Sequence, residues 1–399
     1  MRVAIAGAGI GGLATALALA RTGHEVVVCE RSDAQGEVGA GIQISPNAVR
    51  ALEALGVRSG FDRIAVHPER IVVRRWADDA VLRSMPLDGA FVDRFGERYA
   101  NVHRGELAQV LADALRDHHP DVRVVRGVQV VGVSTDDTGE SAALQLGDGS
   151  TVEADVVVGA DGIRSAVRTS LFGATPSRFS GGVAYRALIP TDRLPGHPVE
   201  VSNRLGPDSH VVTYFVGAGA RWLNLVCIVP EPLWDVESWT EPGSVDDLRR
   251  SFDGWSEPLR RVLALVDEPV FRWALHDRPP LERWGAGAVT LLGDACHPML
   301  PFLAQGACQA LEDAVVLARQ LAVVDPSAGA AARCAALRRY EEIRRPRTDK
   351  VQRASWRNRE VYHLPDGEEQ RRRDAGYAAA GDDPSAFDWL YGHHVSARD

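Results

Sequence analysis

The stretch that most constrains this chain is its beginning, where Arg2-Val3-Ala4-Ile5-Ala6 runs directly into Gly7-Ala8-Gly9-Ile10-Gly11-Gly12. The apolar run is too short for anything but a buried strand, and the next six residues spell G-x-G-x-x-G with an additional glycine at Gly11. Leu13 to Ala20 is apolar and helix-forming, and Glu25-Val26-Val27-Val28-Cys29 reads as a second buried strand ending at Glu30. Together they make a βαβ unit of roughly 30 residues. In such a unit the first glycine permits the tight turn, the second lets a pyrophosphate approach the backbone, and the third lets the helix pack close to the sheet. The helix start adds free N–H groups and the positive end of its dipole. Glu30, eighteen residues past Gly12, stands where an acid accepts hydrogen bonds from a ribose. A glycine turn can serve packing alone, but the flanking strand, helix and acid favour a dinucleotide.

The rest of the chain narrows the class. A length of 399 residues allows two or three domains, and 45% hydrophobic with 25% charged residues is ordinary for a globular enzyme. A net charge of −9 argues against nucleic acid or an anionic membrane as partner. Lys350 is the only lysine and lies in no glycine-rich loop, which disfavours Schiff-base chemistry and a Walker-type site. Cys29, Cys227, Cys296, Cys308 and Cys334 are scattered without C-x-x-C spacing, so no metal and no disulfide framework is expected. No apolar run approaches the ~18 residues of a membrane span, and the apolar start belongs to the βαβ unit rather than to a signal peptide. A cytoplasmic location is expected.

Along the chain, 31–41 reads as a polar, glycine-rich loop. Ser45-Pro46-Asn47 starts a helix with Val49, Leu52 and Leu55 on one face, stopped by Gly56. Short strand-like pieces at 71–73 and 80–82 precede a helix over 106–118, with Arg104 at the strand-to-helix junction. From Val122 to Val158 the chain alternates, with a hairpin turn at Asp148-Gly149 and a buried strand running into Asp161-Gly162. Long strands at 183–189, 210–216 and 222–229 predict an antiparallel sheet as a second domain. Another buried strand, 288–292, leads into Gly293-Asp294; helices follow at 306–321 and 331–345, the latter broken by Pro346.

Three separated motifs stand in order: Gly7-x-Gly9-x-x-Gly12, then Gly159-Ala160-Asp161-Gly162, then Gly293-Asp294-Ala295-Cys296-His297-Pro298. The combination resembles the single-component FAD-dependent aromatic hydroxylases, the p-hydroxybenzoate hydroxylase family. The stretches Tyr185-Arg186-Ala187-Leu188, 291–313 and Asp388-Trp389-Leu390-Tyr391-Gly392 are similar to its subgroup of salicylate hydroxylase, 3-hydroxybenzoate 6-hydroxylase and 6-hydroxynicotinate 3-monooxygenase. The resemblance implies an α/β fold: a Rossmann-like FAD-binding domain of the glutathione-reductase type, an inserted antiparallel β-sheet substrate domain, and a C-terminal helical segment. The expected boundaries give the FAD domain 1–70, 98–178 and 271–345, the substrate domain 71–97 and 179–270, and the tail 346–399.

The same resemblance assigns roles. Gly7, Gly9, Gly11 and Gly12 would cradle the FAD pyrophosphate, with Glu30 on the ribose and Arg31, Gly41 and Val130 beside the cofactor. Arg104 would face the flavin side, its fixed fork suited to phosphate or ring oxygens. Asp294, after Gly293, would hold the ribitol or pyrophosphate region, and Asp161-Gly162 would serve FAD and a visiting nicotinamide. Gln305, Gly306 and Ala307 would place a helix N-terminus at the flavin edge that becomes negative on reduction, though a plain helix start reads the same way.

FAD would be tightly but non-covalently bound, NADH or NADPH would reduce it and leave, and O2 would give a C4a-hydroperoxide that attacks an activated phenol. That chemistry calls for a base near the phenol and a dry pocket. His210 and Tyr214 are the candidates, since alternate strand residues share one face. Gln43, Pro301, Phe302 and Arg186 are expected at the substrate, Arg186 at a carboxylate. Gln43 and Phe302 stand where the hydroxynicotinate enzyme would carry histidines, which leaves room for a more apolar ring. The reading is an NAD(P)H-dependent monooxygenase of a small phenolic acid, with or without loss of carbon dioxide, acting as monomer or homodimer. Two alternatives stay open: an epoxidase or reductase of a larger apolar molecule, and a non-catalytic flavoprotein.

Overall fold

Past the exposed Arg2 and Glu25, the segments 2–6, 25–29 and 156–159 are apolar on both faces, and in a computed structural model of the chain they form the centre of a parallel sheet. The structure describes residues 1–33, 41–136, 139–232, 241–325 and 328–395. The six strands of this sheet lie in the order Gly285–Ala286, Val289–Leu291, Val156–Gly159, Arg2–Ala6, Glu25–Cys29, Arg123–Val125. All neighbours are parallel except the first pair. The helix Ile10–Arg21 packs on the sheet through Leu13, Leu17 and Leu19, each at most 2% exposed, and the helix Gly306–Ala322 packs against it in turn. Each such side chain contributes about 1.5–3 kcal/mol on burial. The ribbon Val130–Thr135, Ala142–Leu146, Thr151–Ala154 lies beside this sheet, its hairpin turning at Asp148-Gly149.

The second layer is an eight-stranded sheet ordered Glu241–Gly243, Val270–Asp277, Arg178–Pro190, Trp222–Pro230, Ser209–Val216, Val201–Gly206, Arg70–Arg75, Val81–Pro86. It departs from the antiparallel expectation at one seam, where Val201–Gly206 pairs in parallel with Arg70–Arg75. The latter strand enters from the first third of the chain, so no hairpin joins the two. Val270–Asp277 also stays in this sheet, past the boundary expected at 270.

Pro346 does not end a helix. A single helix runs Gly329–Tyr362 with Pro346 inside it. An internal proline costs about 3 kcal/mol, and the offset lies in what flanks it: Arg344 and Arg347 both pair with the buried Glu312, and the Thr348 hydroxyl donates to the Arg344 and Arg345 carbonyls. Helices Glu368–Ala380 and Asp388–Tyr391 follow. Most of the loop expected over 31–41 lies outside the described residues. No described helix is long and apolar enough to cross a membrane.

Candidate active site

The glycine turn is built as the motif requires. A Cβ on Gly12 would stand 1.9 Å from the Gly7 carbonyl oxygen, whereas one on Gly9 would meet nothing within 4 Å. Gly12 is therefore demanded by the turn itself, and Gly9 faces open space ahead of the helix. That helix has no side-chain cap and no acid in its first turn, so its first N–H groups are left for an anion. Gly11 packs toward Leu292 and Ala310, on the side of the Gly306–Ala322 helix. Glu30 accepts from the Ala8 N–H at 2.7 Å and the Ser32 N–H at 2.9 Å, clasping the turn to the end of the second strand, with Arg31 exposed beside it. Val130 lies in the side ribbon, half-buried against the core of the parallel sheet.

Two further strand ends converge on the same edge. Asp161 accepts from the Ala166 and Val167 N–H groups through one oxygen, while its other, Oδ1, is buried without a partner. Burial raises its pKa, against the pull of those capping bonds. Gly162 follows at φ +77 with nothing near a Cβ position. Asp294 stands at the strand end facing the cleft; the protein packed around its carboxyl raises its pKa by desolvation, opposed by the charges of His297 and Arg104. Gly306 lies across from it, 3.9 Å from Asp294 Oδ1 by its Cβ position, and opens a 17-residue helix with no acid in its first turn. Ala307 is next, half-buried. Gln305 turns away from the cleft, donating to Ser45 Oγ at 2.8 Å and accepting from Asn47 at 3.2 Å.

Facing these strand ends is one side of the eight-stranded sheet. The register lays Leu188, Asn224 and Tyr214 in one row, Arg186, Val226 and Val212 in the next, and Ala184, Ile228 and His210 in a third. This is an apolar floor with four polar projections, Asn224, Tyr214, Arg186 and His210. The Arg186 guanidinium lies 4.4 Å over the Trp273 ring, and its Nε is buried without a hydrogen-bond partner. Burial draws its pKa down to about 10. Tyr214 is 4% exposed; burial pushes its pKa up to about 12, against the Arg186 charge and a hydrogen bond with Gln43. His210 is 3% exposed and held well below the ordinary imidazole range, by burial first and then by His363, whose Nε2 lies 2.8 Å from His210 Nδ1. At neutral pH the pocket thus holds a protonated phenol, a neutral imidazole and a guanidinium. Phe302, 6% exposed, lies against His210 at 5.2 Å between ring centres, and Pro301 is exposed at the start of the same 3-10 turn.

The strand Gly41–Ile44 roofs this floor. Gly41 N donates to Asn224 Oδ1 at 2.8 Å, and a Cβ there would overlap both Asn224 and Tyr214, so Gly41 is placed at the joint between the layers. Gln43 accepts from the Tyr99 hydroxyl at 2.6 Å through Oε1, which leaves its NH2 for Tyr214. Arg104 begins the Arg104–His118 helix, close enough to act on both Asp294 and Arg186.

Asn224, Tyr99, Trp273 and His363 were not singled out from the sequence. Asn224 had a usable signal, as the one amide in the otherwise apolar strand Trp222–Pro230. The other three are joined to the pocket only by the fold.

Comparison with known proteins gives the chain its family. A family model described as an FAD binding domain matches residues 1–203 and 226–355. The 3-amino-4-hydroxybenzoate 2-monooxygenase of Streptomyces platensis is 39% identical over 399 residues, covering 99% of this chain and 96% of the relative. The 6-hydroxynicotinate 3-monooxygenase of Bordetella bronchiseptica is 36% identical over 360 residues, covering 90% and 91%. Among solved structures, a salicylate hydroxylase substrate complex superposes with a TM-score of 0.82 at 29% identity, covering 99% of this chain and 96% of that one. The chain belongs to this FAD-binding family and is an FAD-dependent monooxygenase. The uncapped helix start beyond Gly9 and the orphaned Asp161 Oδ1 are what a dinucleotide with phosphates and hydroxyls would fit.

Proposed function

We propose that this monooxygenase hydroxylates a one-ring phenolic acid, and that Arg186, Tyr214 and His210 bind and orient it on the sheet floor. The observation that carries the reading is Arg186: a half-buried cation whose Nε is buried without a partner and which has no acid paired to it among the described residues, beside a phenol donor and a neutral imidazole. A permanent cation kept from water without an anion is costly, and a substrate carboxylate would offset it. Relatives named for 3-amino-4-hydroxybenzoate and 6-hydroxynicotinate act on rings of this kind.

FAD would rest on Gly7, Gly9 and Gly12, with Glu30 and Asp161 toward its sugar, Asp294 and Arg104 in its middle, and the helix start at Gly306 and Ala307 near the ring. When bound and reduced by NAD(P)H, it supplies activated oxygen. The protein's own part is threefold. Arg186 fixes one end of the substrate. Tyr214, held protonated, donates to the substrate oxygen, while the neutral His210 accepts the phenolic proton as the ring becomes electron-rich. Val212, Val226 and Phe302 keep water out.

The test is NADH and NADPH oxidation by the FAD-loaded protein, with oxygen uptake and peroxide followed together, against hydroxybenzoates, aminohydroxybenzoates, hydroxynicotinates and the matching phenols without a carboxylate. Oxidation stimulated only by the acids, without matching peroxide, is expected. Equal stimulation by phenols lacking the carboxylate would refute the role of Arg186, and peroxide as the sole product for every compound would refute the substrate class.

A further inference from the structure

Beyond the His210 row, on the same face of the large sheet, lies a cavity of about 170 Å³ that borders the reaction pocket through Ile228 and Phe302 and otherwise takes no part in the reaction described above. Its apolar side is Ile228, Leu275 and Phe302, between 1% and 6% exposed. Its polar side is different in kind. Ser180, 5% exposed, lines the cavity with a buried Oγ that has no hydrogen-bond partner. It sits where the Arg178–Pro190 strand slips register between Phe179 and Val183, so the hydroxyl is set by a bulge rather than by regular pairing.

The second polar group is Arg359, near the end of the Gly329–Tyr362 helix. Its guanidinium overlies Gly181, 3.4 Å from where a Cβ would stand. It makes a distant contact of 5.6 Å with the Trp356 ring, and among the described residues no ion pair or hydrogen bond of its guanidinium is found. Asp208 and Glu360 also border the cavity, but both are exposed at its rim.

We propose that this cavity is a second binding site for a one-ring aromatic carboxylate, one that binds but is not hydroxylated there. The same cavity is lined by apolar side chains, a hydroxyl without a partner and a guanidinium, the last two being the pair of donors that a carboxylate takes while its ring lies on Phe302. The site is separated from the reaction pocket: Ser180 is six residues from Arg186 along one strand, a span on the order of 20 Å when extended. It is also in contact with that pocket. His363 and Phe302 form the partition, and His363 reaches His210 at 2.8 Å. A ligand here touches the two side chains that hold His210 in place, so occupancy changes turnover at high concentrations of the acid.

The experiment is equilibrium dialysis of labelled benzoate, which lacks the activating hydroxyl, against the FAD-loaded enzyme. Two equivalents per chain are expected. Arg359→Gln and, separately, Ser180→Ala should each weaken one of them, Arg359→Gln by about tenfold, with FAD retention reporting that the fold is intact. A single equivalent in the wild type, or two that neither substitution alters, overturns the proposal. Arg186→Gln should weaken the other equivalent. If it does not while Arg359→Gln still acts, the reaction-pocket reading has failed and the second site stands.

Discussion

Arg344 and Arg186 both carry their charge into the interior, the first fully buried and the second half-buried with a buried Nε, and the protein treats them in opposite ways. Arg344, 1% exposed, donates through Nε to Asp313 at 2.7 Å and through Nη2 to the Gln309 side chain at 2.8 Å, and pairs with Glu312 through Nη1. Burial disfavours its charge, but the two acids outweigh that and raise its pKa. The same cluster reaches Arg347 and His297, and through Asp313 it takes the Gly293 N–H at 3.1 Å. Arg186 lies over the face of Trp273 beside the Tyr214 phenol, and among the described residues no ion pair to an acid is found for it. A buried charge whose partners are all inside the chain holds the chain together; one whose partner is missing from it points to a ligand.

Breaking the compensated cluster should have the largest effect. Arg344→Met leaves Asp313 and Glu312 buried with less positive charge, and a loss of about 3–5 kcal/mol is expected, seen as a lower denaturant midpoint at unchanged slope. An Arg344→Met midpoint within error of wild type would mean the cluster is not compensated as described.

Arg186→Gln should do the reverse: stability unchanged or raised, but substrate bound about a hundredfold more weakly. That loss corresponds to the ~1.5–3 kcal/mol of a charged hydrogen bond. Substrate titration of the flavin spectrum separates the two effects. Normal affinity in a stable variant would remove Arg186 from the site.

Acid sharpens the same contrast. Arg344 and Arg347 outweigh burial at Glu312, and His297 and Arg344 do so at Asp313, so both carboxylates are held below their ordinary values of 4.5 and 3.8. A depressed carboxylate stabilises the fold above its unfolded pKa and loses that contribution as pH falls through the folded one. Stability should therefore drop below about pH 4.5, and Glu312→Gln should flatten that limb while lowering the plateau above it. Arg186 carries no partner that titrates there, so Arg186→Gln should leave the limb unchanged in shape.

What could be read in the sequence divides along the same line. The βαβ unit, the strands before Asp161 and Gly293, and the long strands of the second sheet announce themselves because period, glycine and apolar runs are local properties. The continuous helix through Pro346 could not be read, since it is held by Glu312, more than thirty residues earlier in the chain. The parallel seam at Val201–Gly206 is likewise a consequence of where the Arg70–Arg75 strand enters. In the site, His210 and Tyr214 followed from alternation along one strand. Their chemical states did not, because these come from neighbours on other elements: Gln43, held by Tyr99; Arg186; and His363.

The smallest expected effect concerns those states. Tyr214 and His210 were equal candidates for the base, yet the surroundings separate them. A phenol with its pKa pushed up to about 12 keeps its proton at any physiological pH and so cannot take one from the substrate, while a buried imidazole held well below its ordinary range has a nitrogen ready to accept. Tyr214→Phe should thus slow hydroxylation only about tenfold, the value of one hydrogen bond, with the rate of flavin reduction little changed and the pH dependence of product formation between pH 6 and 9 the same as in wild type. Were Tyr214 the base, its ionised fraction would grow with pH, so the wild-type rate would climb through that range and the variant would lose the slope. His210→Asn keeps a polar side chain of similar reach and no titrating nitrogen; a pH profile that it alters and Tyr214→Phe leaves alone would assign the proton to the imidazole.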